Sequence, residues 1–397
     1  MKILVINCGS SSLKYQLLNM DDESVIAKGL VERINLDGSK LTHKAKGEVF
    51  EIEKPIKNHA VAIQMVLNCL TDEKMGVIKD INEIDAFGHR CVHGGEYSDA
   101  TIINDEVMKV LKDNVELAPL HAPANIIGIE ACQQVAPKIP NVAVFDTAFH
   151  QTMPKKAYMY AIPQHFYTEY KIRKYGFHGT SHQFVSEEAA KMLGKPIEET
   201  KIITCHIGNG ASISAIDGGK CVDTTMGFTP LAGVMMGTRS GDLDPSIIEF
   251  IMKKTGWDIK EVTTFLNKQC GLLGISGFSS DSRDIESSLK TNENARLAMD
   301  MMCYTITKHI ASYVGVLNGV DAIVFTAGIG ENSPELRHEV MKNFTYLGLK
   351  IDEEKNKETV RKPATEISTK DSKVKVYVIP TNEELVIARE TKNIVKG

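Results

Sequence analysis

Ile3-Leu4-Val5-Ile6-Asn7-Cys8-Gly9-Ser10-Ser11-Ser12-Leu13-Lys14-Tyr15-Gln16-Leu17-Leu18 reads as an apolar strand, a turn of small residues and a second strand. The design returns at Ile202-Ile203-Thr204-Cys205-His206-Ile207-Gly208-Asn209-Gly210-Ala211-Ser212-Ile213-Ser214-Ala215-Ile216. Gly9 and Gly208 stand 199 residues apart in a chain of 397, half its length. A second pair of stretches is alike in the same way: Asp85-Ala86-Phe87-Gly88-His89-Arg90 and Asp321-Ala322-Ile323-Val324-Phe325-Thr326-Ala327-Gly328. Two explanations fit. One is internal duplication; the other is the frequency of β-turn-β units in any α/β chain.

Around these stretches, strand-like and helix-like runs alternate for the whole length, the pattern of an α/β protein. Apolar residues at three- and four-residue spacing predict helices over 58–69, 124–135 and 183–193. Thr381-Asn382-Glu383-Glu384 predicts another, with Thr or Asn as N-cap before two acidic residues. At about 150 residues per domain, the length suggests two or three domains joined by short segments.

Composition excludes several functions. Hydrophobic residues make up 43% and charged ones 24%, a globular balance. Forty-six basic against 51 acidic residues give a net charge of −5, without the basic excess of a nucleic-acid partner. No apolar run approaches the ~20 residues of a membrane helix. Met1-Lys2-Ile3-Leu4-Val5-Ile6 is too short for a signal peptide, so a cytoplasmic location is expected. The eight cysteines have no C-x-x-C spacing, which argues against a zinc ribbon or redox pair and for reduced, structural thiols.

The glycine turns have a chemical use. Small residues let backbone N–H groups approach an anion, and Lys14, on the same strand face as Ser12, suits a triphosphate tail. A plain hairpin would be Gly/Ser/Asn-rich for steric reasons alone. Phe325-Thr326-Ala327-Gly328-Ile329-Gly330-Glu331-Asn332-Ser333, another turn after a strand, lacks the final Gly of G-x-G-x-x-G, and no G-x-x-x-x-G-K-[ST] exists. Dense polar clusters surround Gly88-His89-Arg90-Cys91-Val92-His93-Gly94-Gly95, Leu120-His121, Asp146, Gly176-Phe177-His178-Gly179-Thr180-Ser181-His182, Arg239 and Asp281-Ser282-Arg283. His89/His93 and His178/His182 have the spacing of a zinc pair on a helix, but Gly94, Gly95 and Gly179 read as helix breakers. Asp, Asn and Glu point instead to a hard cation such as Mg²⁺.

Val5 to Lys14 and Gly88 to Gly95 closely resemble the two signature segments of the acetokinase family. The likeness continues through Asp146-Thr147-Ala148-Phe149-His150, Gly176 to His182, His206 to Gly210, Met236 to Asp242, Gly328 to Asn332 and Thr381 to Glu384, essentially the whole chain. The resemblance implies a duplicated ribonuclease H-like fold of the actin-like ATPase class, with nucleotide in the cleft between two domains. Residues 1–148, completed by a C-terminal helix over 384–397, would form one half, and 149–383 the other.

The implied reaction is reversible, Mg²⁺-dependent (Mn²⁺ possible) in-line phosphoryl transfer from ATP to acetate, giving acetyl phosphate and ADP, in a homodimer. By the same resemblance, Arg90, Asp146, His178 and Arg239 are catalytic. Arg90, Val92, Leu120, His121, Phe177 and Pro230 bind acetate, and Asn7 and Glu383 position the metal. Ser10, Ser12, Lys14, His206, Ile207, Gly208, Asn209, Gly210, Asp281, Ser282, Arg283, Gly328, Ile329, Gly330, Glu331 and Asn332 hold nucleotide. An enzyme acting on anions yet acidic overall is expected to concentrate positive charge at Lys14, Arg90, Arg239 and Arg283. The alternatives are a propionate or butyrate kinase and a non-enzymatic actin-like nucleotide switch; a switch would not obviously need Arg90, His178 and Arg239.

Overall fold

Lys2 and Lys201 each begin the central strand of a sheet and make the same pair of bonds. The backbone N–H of Lys2 donates to Asp85 Oδ2 (2.6 Å), and the N–H of Asp85 donates to the Lys2 carbonyl (2.9 Å). Lys201 and Asp321 repeat both bonds, at 2.8 Å each. The structure, a computed structural model, describes residues 1–95, 97–118 and 121–396. Leu120, one of the expected acetate contacts, lies outside the described residues.

The chain divides into two compact units, Met1–Ala148 with Asn382–Gly397, and Phe149–Thr381. In the first, strands β1 (Lys2–Cys8), β2 (Ser12–Asn19), β3 (Ser24–Glu32), β4 (Lys40–Ala45), β5 (Glu48–Glu53), β6 (Ala86–Cys91), β7 (Thr101–Ile102) and β8 (Asn141–Phe145) form one sheet. Its order is β5-β4-β3-β2-β1-β6-β8-β7. In the second, β9 (Lys201–Ile207), β10 (Ala211–Asp217), β11 (Lys220–Thr224), β12 (Ala322–Thr326), β13 (Thr365–Glu366) and β14 (Lys375–Val378) run β11-β10-β9-β12-β14-β13. Both sheets have three antiparallel strands, then two parallel additions, then an antiparallel edge. β4 and β5 are the first sheet's only extras. Of the two explanations for the 199-residue repeat, duplication is the one the topology supports.

The central strands are apolar on both faces because helices cover both; Ile3, Leu4 and Val5 in β1, and Ile202 and Ile203 in β9, are fully buried. In the first unit, helix Ala122–Val135 packs on β1 and β6, and the C-terminal helix Glu383–Lys396 on β1, β6 and β8. The latter depends on Gly88: a Cβ there would lie 2.5 Å from Thr391 Oγ1 and 2.9 Å from Ile387 Cγ2. Burial of Leu385, Val386, Ile387 and Ala388 therefore anchors Glu383 over the sheet.

The helix over 58–69 is His59–Thr71, with the Val61 N–H donating to the Asn58 side chain. The one over 183–193 begins earlier, at Gly179. This corrects the reading of Gly179 as a breaker: glycine's cost of about 1 kcal/mol applies to a helix interior, and Gly179 stands at the first helical position. His178 takes the N-cap position at φ +58°, a left-handed conformation. All eight cysteines are free thiols, seven of them buried. No helix among the described residues is long and apolar enough to cross a membrane.

Candidate functional site

In the first unit, parallel pairing of β6 and β8 brings Arg90 and Asp146 to the same end of the sheet. Asp146 is 1% exposed and accepts a two-point clamp from Arg90, Nε to Oδ1 at 2.9 Å and Nη2 to Oδ2 at 2.8 Å. Glu383 Oε2 lies 3.5 Å from Arg90 Nε. One residue on, Glu384 pairs with Lys14, which stands across the hairpin from Asn7. Burial opposes the charge on Arg90, but Asp146 and Glu383 outweigh it and hold the guanidinium firmly protonated. Burial pushes the Glu383 carboxyl up, Arg90 pulls it down, and Asp146 and Glu384 push it up again.

Three carboxylates thus face two cations. The surplus anion and the all-oxygen donor set, with Asn7 across the hairpin from Lys14, fit a hard divalent cation. No group of three or more His, Cys, Asp or Glu at metal-binding geometry occurs among the described residues.

This changes the expected distribution of charge. Lys14 and Arg90 are matched by acids, and Arg283 is clamped by Asp281, whose carboxyl that hydrogen bond draws down to about 2. Arg239 alone of the four makes no ion pair among the described residues. Its Nη1 donates to the Pro230 carbonyl at 2.9 Å, and burial lowers its pKa.

In the second unit, β9 and β10 are joined by the turn Gly208-Asn209-Gly210, closed by the Gly208 N–H on the Gly210 carbonyl (3.1 Å). The loop bearing Arg239 docks on it through the Gly237 N–H and the Asn209 carbonyl (3.1 Å). A Cβ at Gly237 would fall 2.0 Å from Asn209 Oδ1, so a larger residue there would displace the Asn209 side chain. His178 stacks on His206 with ring centroids 4.1 Å apart. The position that a Cβ on Gly210 would take lies 3.5 Å from Arg239 Nη1 and 3.6 Å from both Arg239 Nη2 and His178 Nε2. Two cation-capable donors therefore converge beside the turn.

Behind His178 lies a buried row. Its Nδ1 is 2.8 Å from Ser212 Oγ, which is 2.8 Å from His182 Nε2; His182 Nδ1 is 2.6 Å from Thr204 Oγ1. Burial, then His150 and His206, hold His182 far below the usual histidine value. Two other histidines of the polar clusters, His89 and His150, are structural. His89, drawn down to about 4 by burial, bonds Asn141 Oδ1, and His150 Nε2–H donates to the Phe177 carbonyl.

A cavity of about 460 Å³ opens beside the same turn. It gathers Gly208, Asn209, Asp281, Ser282, Arg283, Gly328, Ile329 and Asn332 from the expected nucleotide set. It adds Ser280, Glu286, Ser333 and Arg361, which sequence reading missed. His206, Ile207, Gly210, Gly330 and Glu331 are not among its lining. Glu331 caps its own helix, its Oε1 accepting from the Ala327 N–H (2.8 Å), and the Gly330 carbonyl accepts from buried Arg337 (2.9 Å). Ser10, Ser12 and Lys14 belong to the other unit. Of the expected acetate contacts, Val92 and Phe177 are buried, Pro230 is half-buried against Arg239, and His121 is exposed.

Two α/β units of one sheet plan, each with a glycine turn after its central strand, define a protein of the actin-like ATPase class. The chain belongs to the acetokinase family, whose model matches residues 2–389. It is 62% identical to the acetate kinase of Clostridium kluyveri over 399 residues, covering 100% of this chain and 98% of that protein. The crystal structure of Porphyromonas gingivalis acetate kinase superposes with a TM-score of 0.93 at 46% identity over 99% of both chains. A propionate kinase from Francisella tularensis gives 0.91 at 44% identity, again over 99% of both.

Proposed function

We propose that this protein is an acetate kinase, transferring the γ-phosphoryl group of ATP reversibly to acetate to give acetyl phosphate and ADP. The observation that carries the reading is the convergence of Arg239 and His178 on one point beside Gly210. A phosphoryl group in transit spreads charge over its equatorial oxygens and needs fixed donors aimed at them. Similarity to acetate kinases along the whole chain supports acetate as the acceptor.

The residues divide the work as the chemistry requires. Acetate is ionised at neutral pH, so no base is needed to make the nucleophile. Asp146, both of whose oxygens are engaged by Arg90, accordingly positions and does not abstract a proton. Arg90 offers its remaining donors to a carboxylate, and Arg239 and His178 stabilise the phosphoryl charge, the planar guanidinium suiting both anions. Val92, Leu120, His121, Phe177 and Pro230 bound the acyl group. The cavity lined by Asp281, Arg283, Gly328 and Asn332 receives adenosine, and the Gly208–Gly210 turn its phosphates. Asn7 and Glu383 would hold Mg²⁺ (or Mn²⁺) partly through water, and the ion would neutralise phosphate charge. A homodimer and a cytoplasmic location belong to the same reading.

Comparison of kcat/KM for acetate, propionate and butyrate tests it. One methylene in an apolar pocket changes discrimination by ~1–3 kcal/mol, so acetate should lead by about tenfold or more. A preference for a longer acid would transfer the assignment to a propionate or butyrate kinase.

A further inference from the structure

Resting on the reading of His178 as a phosphoryl donor, we propose that Thr204, His182 and Ser212 form a one-way chain of hydrogen bonds. The chain fixes the His178 proton on Nε2, making Thr204 and Ser212 positioning residues for the transfer step. The direction follows from counting hydrogens. Thr204, His182 and Ser212 are completely buried, and among the described residues the Thr204 and Ser212 hydroxyls bond only to these rings. Each hydroxyl has one hydrogen to give, and a neutral imidazole has one N–H and one bare nitrogen.

If His182 donated from Nδ1 to Thr204, the threonine hydrogen would be buried with no acceptor, the costlier kind of orphan. Thr204 therefore donates to His182 Nδ1. His182 then carries its proton on Nε2 and donates to Ser212 Oγ, and Ser212 spends its hydrogen on His178 Nδ1. His178 is left with Nε2–H, the atom aimed with Arg239 at the space beside Gly210. The opposite tautomer would present a lone pair to an anion and repel it.

The test uses the full chain with ¹⁵N-labelled histidine and long-range ¹H–¹⁵N correlation at neutral pH, His178 being assigned from a His178→Gln spectrum. In the wild type, His178 Nδ1 should resonate as a bare nitrogen and Nε2 as an N–H. Thr204→Val and Ser212→Ala should shift His178 toward a tautomer mixture. They should lower kcat about 10- to 100-fold with KM for ATP nearly unchanged, as when a group orienting a catalytic side chain is lost. Thr204→Ser, which keeps the hydroxyl, should restore both. A wild-type His178 protonated on Nδ1, or shifts and kcat unmoved in Thr204→Val, would overturn the proposal. Expected tautomers together with full activity in His178→Gln would leave the relay standing and sink the role of His178.

Discussion

Gly210→Ala separates function from stability at the proposed transfer site. The backbone at Gly210 is outside the left-handed region, and the added methyl would meet its nearest neighbours at 3.5–3.6 Å, ordinary van der Waals distance. Nothing in the fold has to move. Alanine at a compatible glycine position even stabilises by about 0.4–1 kcal/mol through the unfolded chain. An oxygen accepting from Arg239 and His178, however, has to sit about 2.7–3.1 Å from their nitrogens. A methyl carbon 3.5–3.6 Å from all three occupies that space. Loss of one such donor contact costs about 2.7–4 kcal/mol, or about 10²–10³ in kcat. The assay is acetate-dependent ADP formation at saturating ATP and Mg²⁺, paired with a thermal melt. A variant that melts at or above the wild-type temperature yet turns over at least a hundredfold more slowly is the expected outcome. Near wild-type kcat would show that the point beside Gly210 is not where the phosphoryl group passes.

Arg239→Lys keeps charge but not the planar fork, and should still lose about tenfold or more in kcat, with Arg239→Ala losing more; wild-type rates in the lysine variant would reduce the arginine to a point charge. Arg337 is fully buried and donates to Asn356 Oδ1 and to the carbonyls of Gly330, Asn356 and Thr359. Arg337→Met should therefore destabilise by about 3 kcal/mol or more, read by denaturant unfolding, and a loss below 1 kcal/mol would contradict the bonding. Glu383 has a raised carboxyl pKa in the fold, so its contribution to stability is complete below the unfolded value of about 4.3 and is lost as pH rises through the folded one. The melting temperature of Glu383→Gln should accordingly gain on the wild type between pH 4 and 7, and parallel curves would refute the shift.

What sequence reveals here is local, and what it conceals is long-range. The two hairpins, the half-length repeat and the polar segments bearing Arg90, His178 and Arg239 are legible because strand period, turn residues and motif spacing are properties of neighbouring residues. The pairing of cations is not: Lys14 meets Glu384, and Arg90 meets Asp146 and Glu383, through contacts that only the sheet order and the C-terminal helix create. A basic pocket was the expectation, and Lys14 and Arg90 balanced by Glu384, Asp146 and Glu383 are the result. Thr204 and Ser212 escaped for another reason. In sequence they are ordinary strand residues, and only the β9–β10 pairing and the turn at His178 put their hydroxyls in line. Glu286 and Arg361 likewise reach the cavity from helix and loop segments far from any glycine motif. Gly179 misled because glycine's cost in a helix interior does not apply in the first turn.

The account stands on a carboxylate receiving the phosphoryl group. Incubating the purified protein with acetate, ATP and Mg²⁺ in hydroxylamine, and measuring acyl hydroxamate against ADP, tests that directly. Equal amounts of the two, both abolished when acetate is omitted, are predicted. ADP released without hydroxamate, at a rate indifferent to acetate, would contradict it and describe a nucleotide-hydrolysing switch.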